Sequence, residues 1–229
     1  MDTKQETIDL DFIGNCSRKH SLNKSERQRI AKLSGSNSYD IRYAVSELLA
    51  IFPCSESENI LLSLLHDDDA MIRASVCDSL SFSRSAQTRD RLTEHLKDKN
   101  KLVRGYAALS IGDIQRHLDD TERTVAVLQS SYRKERSKWC RLAIARSLLL
   151  LGDASYADDL LNAVNDRSYQ IRGFALKLLI DLIKDYGIKT DPAATISVLS
   201  ERREKETAVS VINNIMQLLA LYDESKIHG

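Results

Sequence analysis

The sequence predicts an all-α fold, an α-solenoid of about six stacked helix pairs. Three observations predict it. A fifteen-residue pattern returns five times in one frame, beginning at residues 36, 67, 98, 135 and 166. The apolar residues inside each copy recur at helical spacing. Glycine and proline, the residues that punctuate turn-rich β folds, number only eight and two in 229 residues.

The copies read SNSYDIRYAVSELLA (36–50), DDDAMIRASVCDSLS (67–81), DKNKLVRGYAALSIG (98–112), ERSKWCRLAIARSLL (135–149) and DRSYQIRGFALKLLI (166–180). Their arginines are Arg42, Arg73, Arg104, Arg141 and Arg172, spaced by 31, 31, 37 and 31. A degenerate sixth copy is EKETAVSVINNIMQL (204–218), with Val209 standing where the arginine would, 37 residues after Arg172. Take the residue before each arginine as position zero: Ile41, Ile72, Val103, Cys140, Ile171 and, in the sixth copy, Ala208. Positions +3, +4, +7 and +8 then form one stripe, for example Phe174, Ala175, Leu178 and Leu179. Ahead of each copy lies a further amphipathic segment, such as ENILLSLLH (58–66) or YADDLLNAV (156–164). Each repeat is therefore two antiparallel helices joined by a short turn.

In chain order, residues 1–23 form an N-terminal segment or cap. Its TIDLDFI alternates like a strand but equally suits a short capping helix. Residues 24–222 form the repeat solenoid and 223–229 a tail. Ser25 with Gln28, and Ser55 with Glu58, fit capping boxes. Pro53 follows a helix that should end near Ile51, and Asp191-Pro192 sets a capping acid before a first-turn proline. Insertions fall in 114–123 and 183–192, before the fourth and sixth repeats, and should bend the stack there.

The Asp-x(4)-Val/Ile-Arg-x-x-Ala pattern resembles the HEAT-repeat family, particularly its short, phycobilin-lyase-like variety, over roughly residues 24–222. The resemblance implies a ladder of ion pairs between the turn acid and the arginine of adjoining repeats. The matching positions are Asp67 and Arg73, Asp98 and Arg104, Glu135 and Arg141, Asp166 and Arg172. The first repeat has Ser36 in place of the acid, and the sixth lacks both charges at these positions. A terminal repeat has a neighbour on one side only, so a ladder residue there would lack its mate.

Composition narrows the function. Thirty-three basic and 33 acidic residues cancel, which argues against a non-specific nucleic-acid or membrane binder. No run of 18 apolar residues is present. The polar start, MDTKQETIDLD, lacks the basic and apolar regions of a secretory signal. Cys16, Cys54, Cys77 and Cys140 show no CxxC spacing, so reduced, partly buried thiols in a cytoplasmic protein are expected. The histidines at 20, 66, 95, 117 and 228 are scattered, and Asp67–Asp69 read as helix-start acids. No phosphate loop, GxSxG or HExxH occurs. A non-enzymatic chain without metal or cofactor is the expectation.

In α-solenoids the second helices line the concave side, the default binding surface. Position +6 gives Glu47, Asp78, Leu109, Arg146, Lys177 and Asn214, running from acidic to basic. Tyr43 opens the +2 row, in which Gly105 and Gly173 either permit close packing or leave room for a partner. A second candidate is the rim or basic patch of Arg133, Lys134, Arg136, Lys138 and Trp139, with Tyr169 at a later turn. The reading these features favour is a module that binds another protein on its concave face, as an adaptor, assembly factor or inhibitor of immunity type. One alternative is nucleic-acid binding or DNA repair through 133–146, where basic side chains surround a tryptophan. The other, from the resemblance alone, is a tetrapyrrole lyase or chaperone.

Overall fold

A computed structural model describes residues 3–223. Most of the expected tail, from 224 to 229 and including His228, lies outside the described residues, as do residues 1 and 2. Among the described residues there are thirteen α-helices and no strand. They are α1 (Thr3–Cys16), α2 (Lys24–Leu33), α3 (Tyr39–Ile51), α4 (Ser55–Leu64), α5 (Ala70–Ser79), α6 (Ala86–His95), α7 (Lys101–Gln115), α8 (Thr121–Lys134), α9 (Lys138–Leu150), α10 (Ala157–Ala163), α11 (Tyr169–Tyr186), α12 (Pro192–Lys205) and α13 (Val209–Tyr222). Consecutive helices from α2 onward pack as six pairs. The chain divides into two compact units, up to Asp120 and from Thr121 onward, so the boundary falls inside the first insertion. The first unit holds α1 and three pairs, the second unit the other three.

The ambiguous N-terminal segment is a helix. Its buried residues Asp9, Ile13 and Cys16 are four and three apart, a helical face that includes an acid and so hides from a hydropathy reading. Asp9 accepts from Arg29 Nη2 at 2.8 Å and from Gln5 Nε2 at 3.0 Å. The Arg29 guanidinium in turn lies 4.0 Å from the centre of the Phe12 ring. Two expected caps are displaced. The box at the start of α2 is Asn23 with Glu26, and Cys54 rather than Ser55 caps α4. Asp191 caps α12 ahead of Pro192, and α3 ends at Ile51 before Pro53, as the sequence implies. Much of the two insertions is taken up by helix. The α7 helix runs to Gln115, and α11 extends over 18 residues to a left-handed Gly187, φ 68°. Gly187 and Ile188 N–H donate to the Ile183 and Leu182 carbonyls there.

The turns before the second helices share one construction. The carboxylate at each turn accepts the backbone N–H two residues on, for example Asp67 from Asp69 at 2.9 Å, Asp98 from Asn100 at 2.8 Å and Asp166 from Ser168 at 2.8 Å. In the first repeat Ser36 Oγ takes that place, accepting from Ser38 N–H at 3.2 Å. The arginine one turn into the helix reaches back to the turn's carbonyls, as Arg73 Nη1 does to Asp67 O at 2.7 Å. In the first, second and fifth repeats its other nitrogens fork onto the acid of the next repeat. Arg42 meets Asp67 at 2.6 and 3.1 Å, and Arg73 meets Asp98 at 2.8 and 3.1 Å. One guanidinium thus fixes two successive turns, a bidentate geometry that lysine cannot reproduce.

The sixth repeat corrects the sequence frame. Glu206 is its turn acid: it accepts from Ala208 N–H at 3.0 Å and from Arg172 at 2.6 and 2.7 Å. Position zero is therefore Val211, five residues after the acid as elsewhere, and not Ala208. The sixth repeat lacks only the arginine, which Ile212 replaces. Buried Val211, Ile215, Leu218 and Tyr222 are its inward face.

A serine row adds a second seam. Ser79 Oγ donates to Ser46 O at 3.1 Å, and Ser110 Oγ to Cys77 O at 2.7 Å. Each serine sits at +7 and reaches +5 of the preceding second helix. A short donor there lets the helices approach and satisfies the hydroxyl in the core.

Candidate partner-binding faces

In the first unit α3, α5 and α7 lie side by side. Their zero, +4 and +8 residues are buried; of the +2, +3 and +6 residues, Ala74, Ser75 and Gly105 are buried as well and the other six reach the surface at least in part. Those positions hold Tyr43, Ala44 and Glu47, then Ala74, Ser75 and Asp78, then Gly105, Tyr106 and Leu109. Glu47 and Asp78 are exposed; Tyr43, Tyr106 and Leu109 are half-buried. Ser75 Oγ donates to Glu47 Oε1 at 2.5 Å, which draws that carboxylate toward α5. The Tyr39 and Tyr43 rings stack at 5.8 Å between centroids, and Tyr39 is 40% exposed. The fields of these groups overlap. Glu47 first, then burial, raises the Tyr43 phenol above its ordinary value. Burial, then Asp78, Tyr43 and Glu47, does the same to Tyr106. Two carboxylates and three tyrosines therefore share one negative surface.

The second unit differs. Arg146, expected on the binding face, is 5% exposed and lies 4.8 Å from the centre of the Tyr186 ring. Tyr186 belongs to the last turn of α11, the turn that the insertion adds, so the longer helix covers the arginine. Asn214 is a packing residue too, its Nδ2 donating to Gly173 O at 3.4 Å. In the corrected frame Gln217, which is exposed, holds the +6 position. Lys177 is exposed as expected. Asp181, one turn on, is half-buried, and that burial raises its carboxyl above the usual range despite Lys177 nearby. A methyl group added at Gly173 would meet Val211 Cγ2 at 3.9 Å, ordinary contact, so this glycine is not forced by packing.

The basic patch is only partly presented. Arg133, Lys134, Arg136 and Lys138 are exposed. Trp139 is half-buried, one face of its ring stacked on Phe174 at 4.7 Å. Lys138 pairs with Asp166 at 2.5 Å. Arg141 does not fork onto Asp166. Its Nη2 donates to Tyr132 Oη at 2.7 Å and its guanidinium lies 4.4 Å from that ring's centre. An open cavity of about 380 Å³ lies beside this altered rung, lined by Tyr132, Arg136, Lys138, Arg141, Asp159 and Asp166 among others. Tyr169 is 53% exposed. Of the remaining ladder residues, Arg104 donates to Asp98 O at 2.9 Å, and Glu135 accepts from Ser137 N–H at 2.8 Å. His95 is structural in position: it is buried, with Nε2 2.8 Å from Leu65 O.

Sequence reasoning missed Tyr106 and Glu206. Tyr106 stands at +3, a position read as core. Glu206 was visible only as an acid five residues before an apolar residue.

Stacked helix pairs, tied by an arginine–carboxylate ladder, define a helical-repeat protein of the α-solenoid class. More particularly, residues 27–112 match the family of HEAT repeats. No curated protein matches the chain. Among solved structures the chain is similar to the complex of CpcE and CpcF of phycocyanin lyase from Nostoc sp., at 12% identity and TM-score 0.44, covering 89% of this chain and 97% of that one. It is similar to an engineered protein at 17% identity and TM-score 0.45, covering 88% and 97%. It is also similar to human deoxyhypusine hydroxylase in complex with glycerol, at 12% identity and TM-score 0.38, covering 87% and 96%.

Proposed function

We propose that this chain is a non-enzymatic interaction module, cytoplasmic in location, that binds another protein through the outward positions of its second helices. One observation carries the reading. On α3, α5 and α7 the inward and seam residues are committed to core, ladder and serine contacts, while exposed Glu47 and Asp78 and half-buried Tyr43 present charge and aromatic surface in one row. Tyrosine is enriched in protein-binding hot spots, and surface charges around it steer and select a partner. The non-enzymatic part rests on the motif search and on the structural employment of the ladder arginines and His95.

The test is affinity capture from nuclease-treated lysate of the source organism, with the wild type and two folded variants, Glu47→Lys/Asp78→Lys and Lys177→Glu. Circular dichroism confirms that each variant folds. Arg146 is avoided because a carboxylate there would be buried. A specific protein captured by the wild type and lost with a face variant is the expected result. Capture that ignores both variants, or that vanishes altogether with nuclease, overturns the reading.

A further inference from the structure

We infer that the last repeat docks a second copy of this chain, α13 lying antiparallel against α13 of that copy about a two-fold axis. This surface is separate from the outward row of α3, α5 and α7, and the inference does not rest on that row.

Stacking defines the surface. The residue at +5 of a second helix faces the repeat that follows, as Ser46 O and Cys77 O do in taking the hydroxyls of Ser79 and Ser110. Ser46, Cys77, Ala108, Ala145 and Leu176 hold this position in the first five repeats, and all are buried. In the sixth, in the corrected frame, it is Met216, which is 44% exposed. The first helices show the same break. On α4, Glu58 follows buried Ser57 and accepts the hydroxyls of Ser83 and Thr88 from the next repeat. On α12, Ile196 follows buried Thr195 and is 40% exposed. Val209 is 71% exposed, the most of any large hydrophobic among the described residues. The opposite side of α13 is the one that packs, with Val211 and Asn214 against Gly173 of α11. Val209, Asn213, Met216 and Ala220, spaced by four, three and four, thus form one exposed stripe.

The stripe selects its occupant. The 14 residues of α13 carry no charge, so an occupant with acids or bases in the contact would bury them unpaired. What fits is another repeat end without ladder charges, and α13 is itself such an end, because Ile212 stands where the arginine would. At the other end of the repeat order, α1 exposes Lys4, Asp11 and Asn15, a polar cover of the kind terminal repeats need. A head-to-tail contact would set those charges against the apolar stripe. The two-fold arrangement avoids this and closes at two copies. Run antiparallel, the stripe is its own complement. Val209 of each copy meets Ala220 of the other, Met216 meets Asn213 near the axis, and the helix dipoles oppose one another. Together α12 and α13 offer a face of roughly 20 by 20 Å, about half of the ~800 Å² per partner of a standard interface. The dimer is therefore weak, with a Kd on the order of 10–100 μM.

The experiment is sedimentation equilibrium of the full chain from about 1 μM to about 1 mM, a range that brackets this Kd. Expected is a monomer that passes to a dimer and to nothing larger. Met216→Glu, with its circular dichroism unchanged, raises Kd at least about tenfold. Val209→Glu, at the more exposed position, does the same, so the test survives if Met216→Glu disturbs the fold. An equimolar mixture of Met216→Glu and Met216→Lys associates again, a rescue that requires these residues to meet across copies. A chain that is monomeric throughout, an association that both glutamate variants leave unchanged, a mixture without rescue, or a series that grows past the dimer overturns the proposal. So does a monomer that Ile227→Asp turns into a dimer, since the end of this chain would then be the occupant. A monomer from which Met216→Glu removes a protein captured from lysate overturns it too, since the face would then belong to a foreign partner.

Discussion

The two units build the same ladder differently. In the first unit both rungs are arginine–aspartate forks of one design: Arg42–Asp67, with side chains 18% and 6% exposed, and Arg73–Asp98, 17% and 11% exposed. In the second unit Arg172–Glu206 is nearly dry, 8% and 0% exposed, and Glu206 also takes Arg202 at 2.9 Å. The other rung has been exchanged, with Asp166 on a 68% exposed Lys138 and Arg141 on a tyrosine. The glutamate rung coincides with an insertion; the exchanged rung does not. The two repeats that come after long spacings start with Glu135 and Glu206 where the others start with aspartate or serine. The exchanged rung, in contrast, joins two repeats at the regular 31-residue spacing, Arg141 to Arg172, so spacing alone does not set the form of a rung.

The sharpest way to break this comparison is at Glu206. Removing it leaves Arg172 buried without its carboxylate, a situation that costs about 3–5 kcal/mol. Glu206→Ala should therefore lower the urea midpoint more than any other rung variant. A loss no greater than that of Asp98→Ala would show that burial does not set the value of a rung.

Acid should act through the same groups. Arg172 and Arg202, with the backbone N–H of Ala208 and Thr207, hold the Glu206 carboxyl far below its ordinary value of 4.5, against the effect of burial. Burial alone would raise Asp67 and Asp98, but the forks from Arg42 and Arg73 outweigh it, and both sit below 3.8. Lys138 lowers Asp166 likewise. For a carboxyl depressed in the fold, the stabilisation is complete above the ordinary value and is lost as pH falls toward the folded one. Thermal midpoints should thus show no loss from these groups down to about pH 5, then fall below about pH 4. Glu206→Gln should flatten the first part of that fall. A midpoint that declines equally in wild type and variant would remove Glu206 from the account.

How much of this was legible depends on the kind of residue. The helix pairs, the five arginines, Pro53 and Asp191-Pro192 could be read directly, because periodicity and caps are local. The sixth frame could not. A slip of three residues turns a helix by only about 60°, so Val211 and Ile215 fit the apolar stripe in either frame, and only the turn acid decides. Arg146 misled for another reason. Its position along α9 is outward in every regular repeat, but the extended α11 brings Tyr186 over it, a contact fixed by an insertion elsewhere in the chain. The serine row was present in the sequence at one register position, Ser79, Ser110 and Ser147, and was hidden because serine at a core position reads as a gap.

Chemistry at the cysteines offers a smaller test, of the cap at α4. Cys16 and Cys77 are buried, and burial raises both thiols. Burial acts on Cys54 as well, but hydrogen bonds from the Ser57 side chain and backbone, and the nearby Arg27, outweigh it and bring the thiol below its ordinary 9.0. Arg27 Nη1 lies 3.4 Å from its sulfur. At pH 7.5 a thiol reagent should label Cys54 well before the other three, with Arg27→Ala slowing it about threefold. Equal labelling rates would mean that neither access nor the cap distinguishes this cysteine.

The smallest effect should come from the exchanged rung, and it bears most directly on the contrast between the units. Arg73→Ala removes a half-buried fork and should cost about 1.5–3 kcal/mol. Lys138→Ala removes an exposed partner of Asp166, and solvent screening limits its effect to under about 1 kcal/mol. Arg141→Ala should fall close to Lys138→Ala, since its contacts are one hydroxyl and one ring at the surface. The informative comparison is each variant in low and high salt. Salt should weaken what Lys138 contributes and leave most of what Arg73 contributes, because a pair already shielded from water has little left for counterions to screen. If Lys138→Ala and Arg73→Ala were equal in size and in salt dependence, the rungs would be interchangeable and the exchange in the second unit would be without energetic consequence.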